Sequence, residues 1–280
     1  MGHDAARHRL VLVAGYDQHQ QAAHGLLTNR GLARALDIHQ EPEAVRIDYR
    51  INLFGQSLLA ARRVIEEGFV SVFWNTYSHF AIGWDTHSNH YPCLKQFLLP
   101  VFDHSLPALL RDMESRGLLD ETLVLCLSEH GRTSQLNNRP GNGREHWSRV
   151  YSACLVGAEI GRAQVVGESD KIGGDVKSDP RSPKDILASA FHLLGIDPNT
   201  TILDPLGRPV PVAGEGAVRH KLFRVKLPVE MHLETLRLVG QTVFPARCFV
   251  ATKTAKRSVE RLGKLSCLDS ATIVFVIARV

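Results

Sequence analysis

Three short polar clusters carry the residue types that bind cations and move protons: Asp85-Thr86-His87, Glu129-His130 and His146. In an extended segment, residues two apart point the same way, so Asp85 and His87 can address one ion. Glu129 and His130 follow an apolar run, where a carboxylate and an imidazole would sit at the tip of a buried strand. Gly131 would let the backbone turn sharply there. His146 is reached after the glycine-rich stretch 137–144. Together the clusters offer two carboxylates and three imidazoles with no thiolate, a donor mixture that suits zinc, manganese or another first-row divalent ion. Such an ion polarises a phosphoryl or sulfuryl oxygen and lowers the pKa of bound water. Arg132 and Arg144 flank the clusters, and a guanidinium grips a tetrahedral oxyanion with two prongs. Taken singly, each cluster also has an ordinary reading: a hydrogen-bonded turn for Asp85-Thr86-His87, a solvated strand end for Glu129-His130, a surface or capping histidine for His146.

The elements that must position these residues are legible from periodicity and punctuation. Leu58, Leu59, Val64 and Ile65 recur at helical spacing before Gly68, and Phe69 to Trp74 reads as a buried strand. This is a helix-to-strand unit of an α/β sheet. A long helix is expected over 94–116, with Pro100 and Pro107 kinking or breaking it. Thr122 to Leu127 and Tyr151 to Val156 read as further strands. Ser182, Pro183 and Asp185 open a helix that Gly195 ends. Residues 204–212 read as an extended Pro/Gly segment, Leu10 to Ala14 as a strand at best, and Ala271 to Ala278 as a buried strand. In open α/β sheets, sites form at the carboxyl ends of strands, where two of the clusters fall.

Composition excludes several classes. The 280 residues, 44% hydrophobic and 22% charged, describe an ordinary globular chain. No apolar run approaches the roughly 18 residues that would span a membrane, and no secretory signal is evident. The five cysteines show no paired spacing, and Cys126 and Cys154 sit in apolar runs as reduced core thiols. The net charge of +4 belongs to the tail: residues 224–280 hold ten Lys/Arg against four Asp/Glu. The tail lacks the aromatic interleaving that supports base stacking, so no specific nucleic-acid partner is expected. Ser128 lies outside any Gly-x-Ser-x-Gly turn, which disfavours a serine hydrolase.

Several motifs in fixed order carry a resemblance. They are Gly55-Gln56-Ser57-Leu58-Leu59-Ala60-Ala61-Arg62-Arg63, Gly83-Trp84-Asp85-Thr86-His87, Leu98-Leu99-Pro100 with Asp103, and Arg116-Gly117-Leu118-Leu119-Asp120-Glu121-Thr122. They continue with Glu129-His130-Gly131-Arg132-Thr133, Gly143-Arg144-Glu145-His146-Trp147, Gly167-Glu168-Ser169-Asp170 and Gly207-Arg208-Pro209. Residues 20–223 resemble the domain-of-unknown-function family 1501, which looks like a branch of the alkaline phosphatase and sulfatase superfamily. The resemblance implies an α/β fold, a three-layer α/β/α sandwich of alkaline phosphatase/sulfatase type, here incomplete. It implies a divalent metal cofactor, zinc, manganese or calcium. By resemblance, Asp85 and His87 would hold one ion with His146, while Glu129 and His130 would match the pair serving a second. Arg132 and Arg144 would bind substrate, a small anionic ester.

The chain also departs from the family pattern. The resemblance implies an amino-terminal region bearing an export signal, a metal carboxylate and the nucleophile, and Met1 to Asp17 does not resemble it. The expectation is therefore an amino-terminally truncated chain with no assignable catalytic nucleophile. Residues 1–19 would be an unmatched segment, 20–223 the partial domain, and 224–280 a basic unmatched extension. The expected function is metal-dependent hydrolysis of a phosphate or sulfate ester, with a non-catalytic metal- or ligand-binding remnant as the alternative. Relatives of this kind are typically exported, and neither location nor oligomeric state is readable here.

Overall fold

The computed structural model describes residues 17, 19–69, 71–75, 83–224 and 273–279. It is mixed α/β. Helix α1 includes residues 19–28, followed by α2 (Arg30–Leu36), α3 (Glu43–Asp48) and α4 (Leu53–Glu66). Strand β1 (Ser71–Asn75) precedes α5 (His90–Cys93) and α6 (Leu99–Ser115). Then come β2 (Thr122–Leu127), β3 (Gly131–Arg132), β4 (His146–Trp147) and β5 (Cys154–Gly157). The chain continues through β6 (Glu168–Ser169), β7 (Val176–Ser178), α7 (Pro183–Leu193), β8 (Thr201–Leu203), β9 (Pro209–Pro211) and β10 (Ile273–Arg279). No helix among the described residues is long and apolar enough to cross a membrane.

Four strands form the main sheet in the order β1-β10-β2-β5, and every neighbouring pair is antiparallel. Three two-stranded antiparallel sheets accompany it: β3-β4, β6-β7 and β8-β9. The strand read at 69–74 starts at Ser71, and that read at 151–156 is Cys154–Gly157. Within the Pro/Gly segment read at 204–212, Pro209–Pro211 is β9, which forms a hairpin with β8 before it. The possible strand at Leu10 to Ala14 lies outside the described residues.

The segment 94–116 differs from expectation in an instructive way. Helix α5 runs into a π-helical turn (Leu94–Leu98) and then into α6. Pro100 falls at the start of α6, directly after the π-helical turn. Pro107 lies inside α6 without ending it. The helix is held by its buried face, Phe102, Leu106, Leu109 and Met113, which packs into the principal core. Burial of that face, at roughly 1.5–3 kcal/mol for each large apolar side chain, outweighs the lost ladder bond.

Helix α4 buries Leu58, Leu59 and Ile65 against α6, as its periodicity predicts. The same face carries Arg62, fully buried. Its guanidinium lies 3.0 Å from Glu41, 2.7 Å from Glu66 and 3.0 Å from Asp112. Asp112 also accepts from the Tyr49 hydroxyl at 2.8 Å. A buried cation needs such partners, because desolvation alone would cost several kcal/mol. Removing it leaves three carboxylates, Glu41, Glu66 and Asp112, to the guanidinium groups of Arg63 and Arg116. Arg62→Ala is expected to lower unfolding free energy by about 3–5 kcal/mol, as read by urea denaturation; a loss below about 1 kcal/mol would show the network to be dispensable.

Helix α7 begins with the predicted capping box. The Ser182 hydroxyl accepts from Asp185 N, and the Asp185 carboxylate accepts from Ser182 N. Asp185 also accepts from Ala217 N and Arg219 Nη2, both at 2.9 Å. Burial opposes its ionisation, but Arg219 and the converging backbone N–H groups prevail and hold the carboxyl well below the usual carboxylate range. A carboxyl with a lowered folded pKa stabilises the fold above its unfolded pKa of about 3.9 and loses that contribution as pH falls through the folded value. Asp185→Asn should therefore cost about 1–3 kcal/mol at neutral pH and flatten the acid limb of a stability-versus-pH curve; an unchanged acid limb would refute the assignment.

Candidate metal centre

Asp85 and His87 are placed by an alternating segment. Thr86 N donates to Trp84 O and His87 N to Asp85 O, both at 3.0 Å. Trp84 and Thr86 are buried while Asp85 is exposed and His87 half-buried, so the two candidate ligands share the outer face as predicted. Trp84 packs edge-on against Phe102, with ring centroids 5.9 Å apart. Thr86 Oγ1 lies 2.7 Å from His90 Nδ1. The inner face is thus locked while the outer face stays open.

His146 reaches the same place through the β3-β4 pair. The register sets Arg132 opposite His146 and Gly131 opposite Trp147. Trp147 Nε1 donates to Gly174 O at 2.7 Å, which fixes β4 on its far side. Gly131 serves close approach here rather than a turn: a Cβ on it would stand 1.9 Å from the Val150 carbonyl oxygen. Gly143 does the same on the loop before β4, where a Cβ would stand 2.0 Å from the His87 carbonyl group. Asn137 ties that loop, donating to His87 O at 3.0 Å and to Glu145 Oε1 at 2.7 Å, and accepting from Gly143 N at 2.9 Å.

The side chains converge on one oxygen. Asp85 Oδ1 lies 2.9 Å from His87 Nε2, 3.1 Å from His146 Nε2 and 2.5 Å from Arg132 Nη2. One ligand atom from each of Asp85, His87 and His146 lies within 4.8 Å of the other two. Burial opposes ionisation of Asp85, but hydrogen bonds from Arg132 and His146 outweigh it and hold the carboxyl below the usual range. The carboxylate is therefore available as an anionic ligand.

The five predicted metal ligands separate into groups. Asp85, His87 and His146 form the cluster. The His130 ring stacks on His146 with centroids 4.9 Å apart and 21° between planes, so it flanks the cluster. His130 is fixed by Ser128, whose hydroxyl accepts from His130 N and donates to His130 O. Glu129 is exposed and stands outside the cluster. The two predicted substrate arginines face protein acceptors. Buried Arg132 donates to Asp85 Oδ1, Trp84 O and Arg144 O. Arg144 donates to Thr133 O and the Tyr91 hydroxyl.

Sequence reasoning passed over Glu145. Its Oε2 lies 2.6 Å from His87 Nδ1, while its Oε1 accepts from Asn137 and pairs with Arg139 at 3.3 Å. The Asn137 hydrogen bond, joined by His87, holds the Glu145 carboxyl below its usual range despite some desolvation. A carboxylate on Nδ1 directs the lone pair of Nε2 outward, the arrangement in which imidazole binds a metal. Its adjacency to His146 was the available signal.

Residues 5–223 match a family described as protein of unknown function (DUF1501), and the chain belongs to that family. The match covers most of the chain and includes the whole cluster. No curated protein and no solved structure matches it.

Loss of the Glu145 contact should loosen His87 without removing a ligand. Glu145→Gln is expected to weaken zinc binding about 10–100-fold in isothermal titration; unchanged affinity would remove Glu145 from the centre.

Proposed function

We propose that this chain binds one divalent cation through Asp85, His87 and His146, and that the centre serves hydrolysis of a phosphate or sulfate ester. The observation that carries the reading is the convergence of one carboxylate and two imidazoles, Asp85 and His146 being 61 positions apart, with ligand atoms within 4.8 Å. The donor set fits zinc or manganese, being borderline in softness and lacking thiolate. A bound divalent ion would supply Lewis acidity and a lowered pKa for coordinated water. The chain's own residues do the rest. Arg132 keeps Asp85 ionised and oriented. Glu145 lies against His87 Nδ1 and would orient the ring. The exposed rims of Asp85 and His146 leave the cluster open to a substrate from solvent.

Charge supports the substrate class. The carboxylates of Asp85 and Glu145 are matched by the guanidinium groups of Arg132 and Arg139. The protein groups thus cancel, and a divalent cation would leave the loaded centre positive and attractive to an anionic ester. The resemblance to the alkaline phosphatase and sulfatase superfamily supports the same chemistry.

One observation favours a second reading, a binding site without turnover. Arg132 and Arg144 both point their donors at protein carbonyls or side chains, so neither is posed to grip a tetrahedral oxyanion. The two readings separate in one experiment. Zinc titration should give one site per chain, reduced at least tenfold by His146→Ala. Aryl phosphate and aryl sulfate assays with zinc, manganese, calcium or magnesium then decide between them. Turnover abolished by chelator and by His146→Ala establishes the hydrolase. Zinc binding with no turnover establishes the second reading, and absence of zinc binding ends both.

A further inference from the structure

The order of the main sheet contains an unusual insertion. β1 and β2 each run antiparallel to β10, so they run in the same direction with β10 between them. The family match ends at residue 223, whereas β10 begins at Ile273. The strand at the centre of the sheet therefore comes from outside the family region. Adjacent strands lie about 4.8 Å apart, so β10 holds β1 and β2 roughly 10 Å apart.

The fit of this strand is specific. Five residues of β1 and six of β2 are in register with it. Ile277 is fully buried in the principal core beside Val124, and neighbouring Ala278 is buried as well. At the end of the strand Arg279 Nη2 pairs with Glu121 Oε2 at 2.8 Å. The sequence Ile-Val-Phe-Val-Ile-Ala is apolar throughout, as a strand covered on both faces requires. Without it, β1 and β2 would present two facing edges of unpaired N–H and C=O groups.

We infer that the groove between β1 and β2 is a strand-acceptor site, that residues 273–279 are its donor strand, and that the groove takes this strand whether or not it is covalently joined. The interaction is β-augmentation: main-chain hydrogen bonds to both edges, with register set by the buried side chains. It gives residues 273–279 a function, holding apart β1 and β2, the second of which runs directly into the His130 loop. The sheet is read without any ion, so the outcome is separable from that of the metal centre.

The test uses the full chain with a specific protease site placed within residues 225–272. In a Cys154→Ser background, Phe275→Cys stands in register with Cys126, and directly opposite residues are close enough for a disulfide. Before cleavage, oxidation should give the 126–275 cross-link by peptide mapping. After cleavage of the protein without the Phe275 substitution, the carboxyl-terminal fragment should co-elute with the body. A labelled peptide of residues 271–280 carrying the same cysteine should then replace it and cross-link to Cys126. An Ile277→Asp version of the peptide should be excluded at least tenfold. The inference is overturned if the intact chain fails to form the cross-link. It is equally overturned if the fragment elutes alone while amide protection in β1 and β2 persists, because the sheet would then close without a donor.

Discussion

The candidate centre depends on one carboxylate oxygen. Asp85 Oδ1 is where a buried guanidinium and two half-open imidazoles meet. Arg132 lies within the protein and donates at once to that oxygen, to the Trp84 backbone and to the Arg144 backbone. It therefore joins the Asp85 loop to the loop that delivers His146. A desolvated guanidinium requires acceptors on its donors, so the interior's demand for charge balance and the centre's demand for geometry are met by the same contacts. The β3-β4 pair, the Gly143 approach and the Asn137 tie all act to keep His87 and His146 in range of that oxygen.

Much of this was legible along the chain because it is local. The capping box of α7 is a four-residue signal, and the apolar face of α4 is a helical one. The shared face of Asp85 and His87 follows from alternation, even though the backbone makes successive tight turns there. That His146 joins them came from motif order rather than from any local rule.

What could not be read is pairing across distance. Periodicity identifies a strand but not its neighbours. Hence the tail strand read at 271–278 gave no hint that it would lie between β1 and β2 and make the sheet antiparallel throughout. Cys126 and Cys154 looked scattered, yet they are directly opposed on β2 and β5. Pro107 signals a helix break locally, but the packing of α6 against α4 is a tertiary fact that overrides it. Glu145 was overlooked for the same reason: its use lies in a contact with His87, 58 positions earlier.

The two tightly packed glycines bear on how this centre tolerates change. Gly143 rests on the His87 backbone and Gly131 on the Val150 carbonyl, each at a distance that admits only hydrogen. Neither offers a functional group, yet each fixes where one segment around the cluster passes another. A random-mutagenesis survey of this protein would thus score destabilising hits at positions with no chemistry of their own. Divergent copies could exchange a donor atom for another type more readily than they could accept a single methyl group at these crossings.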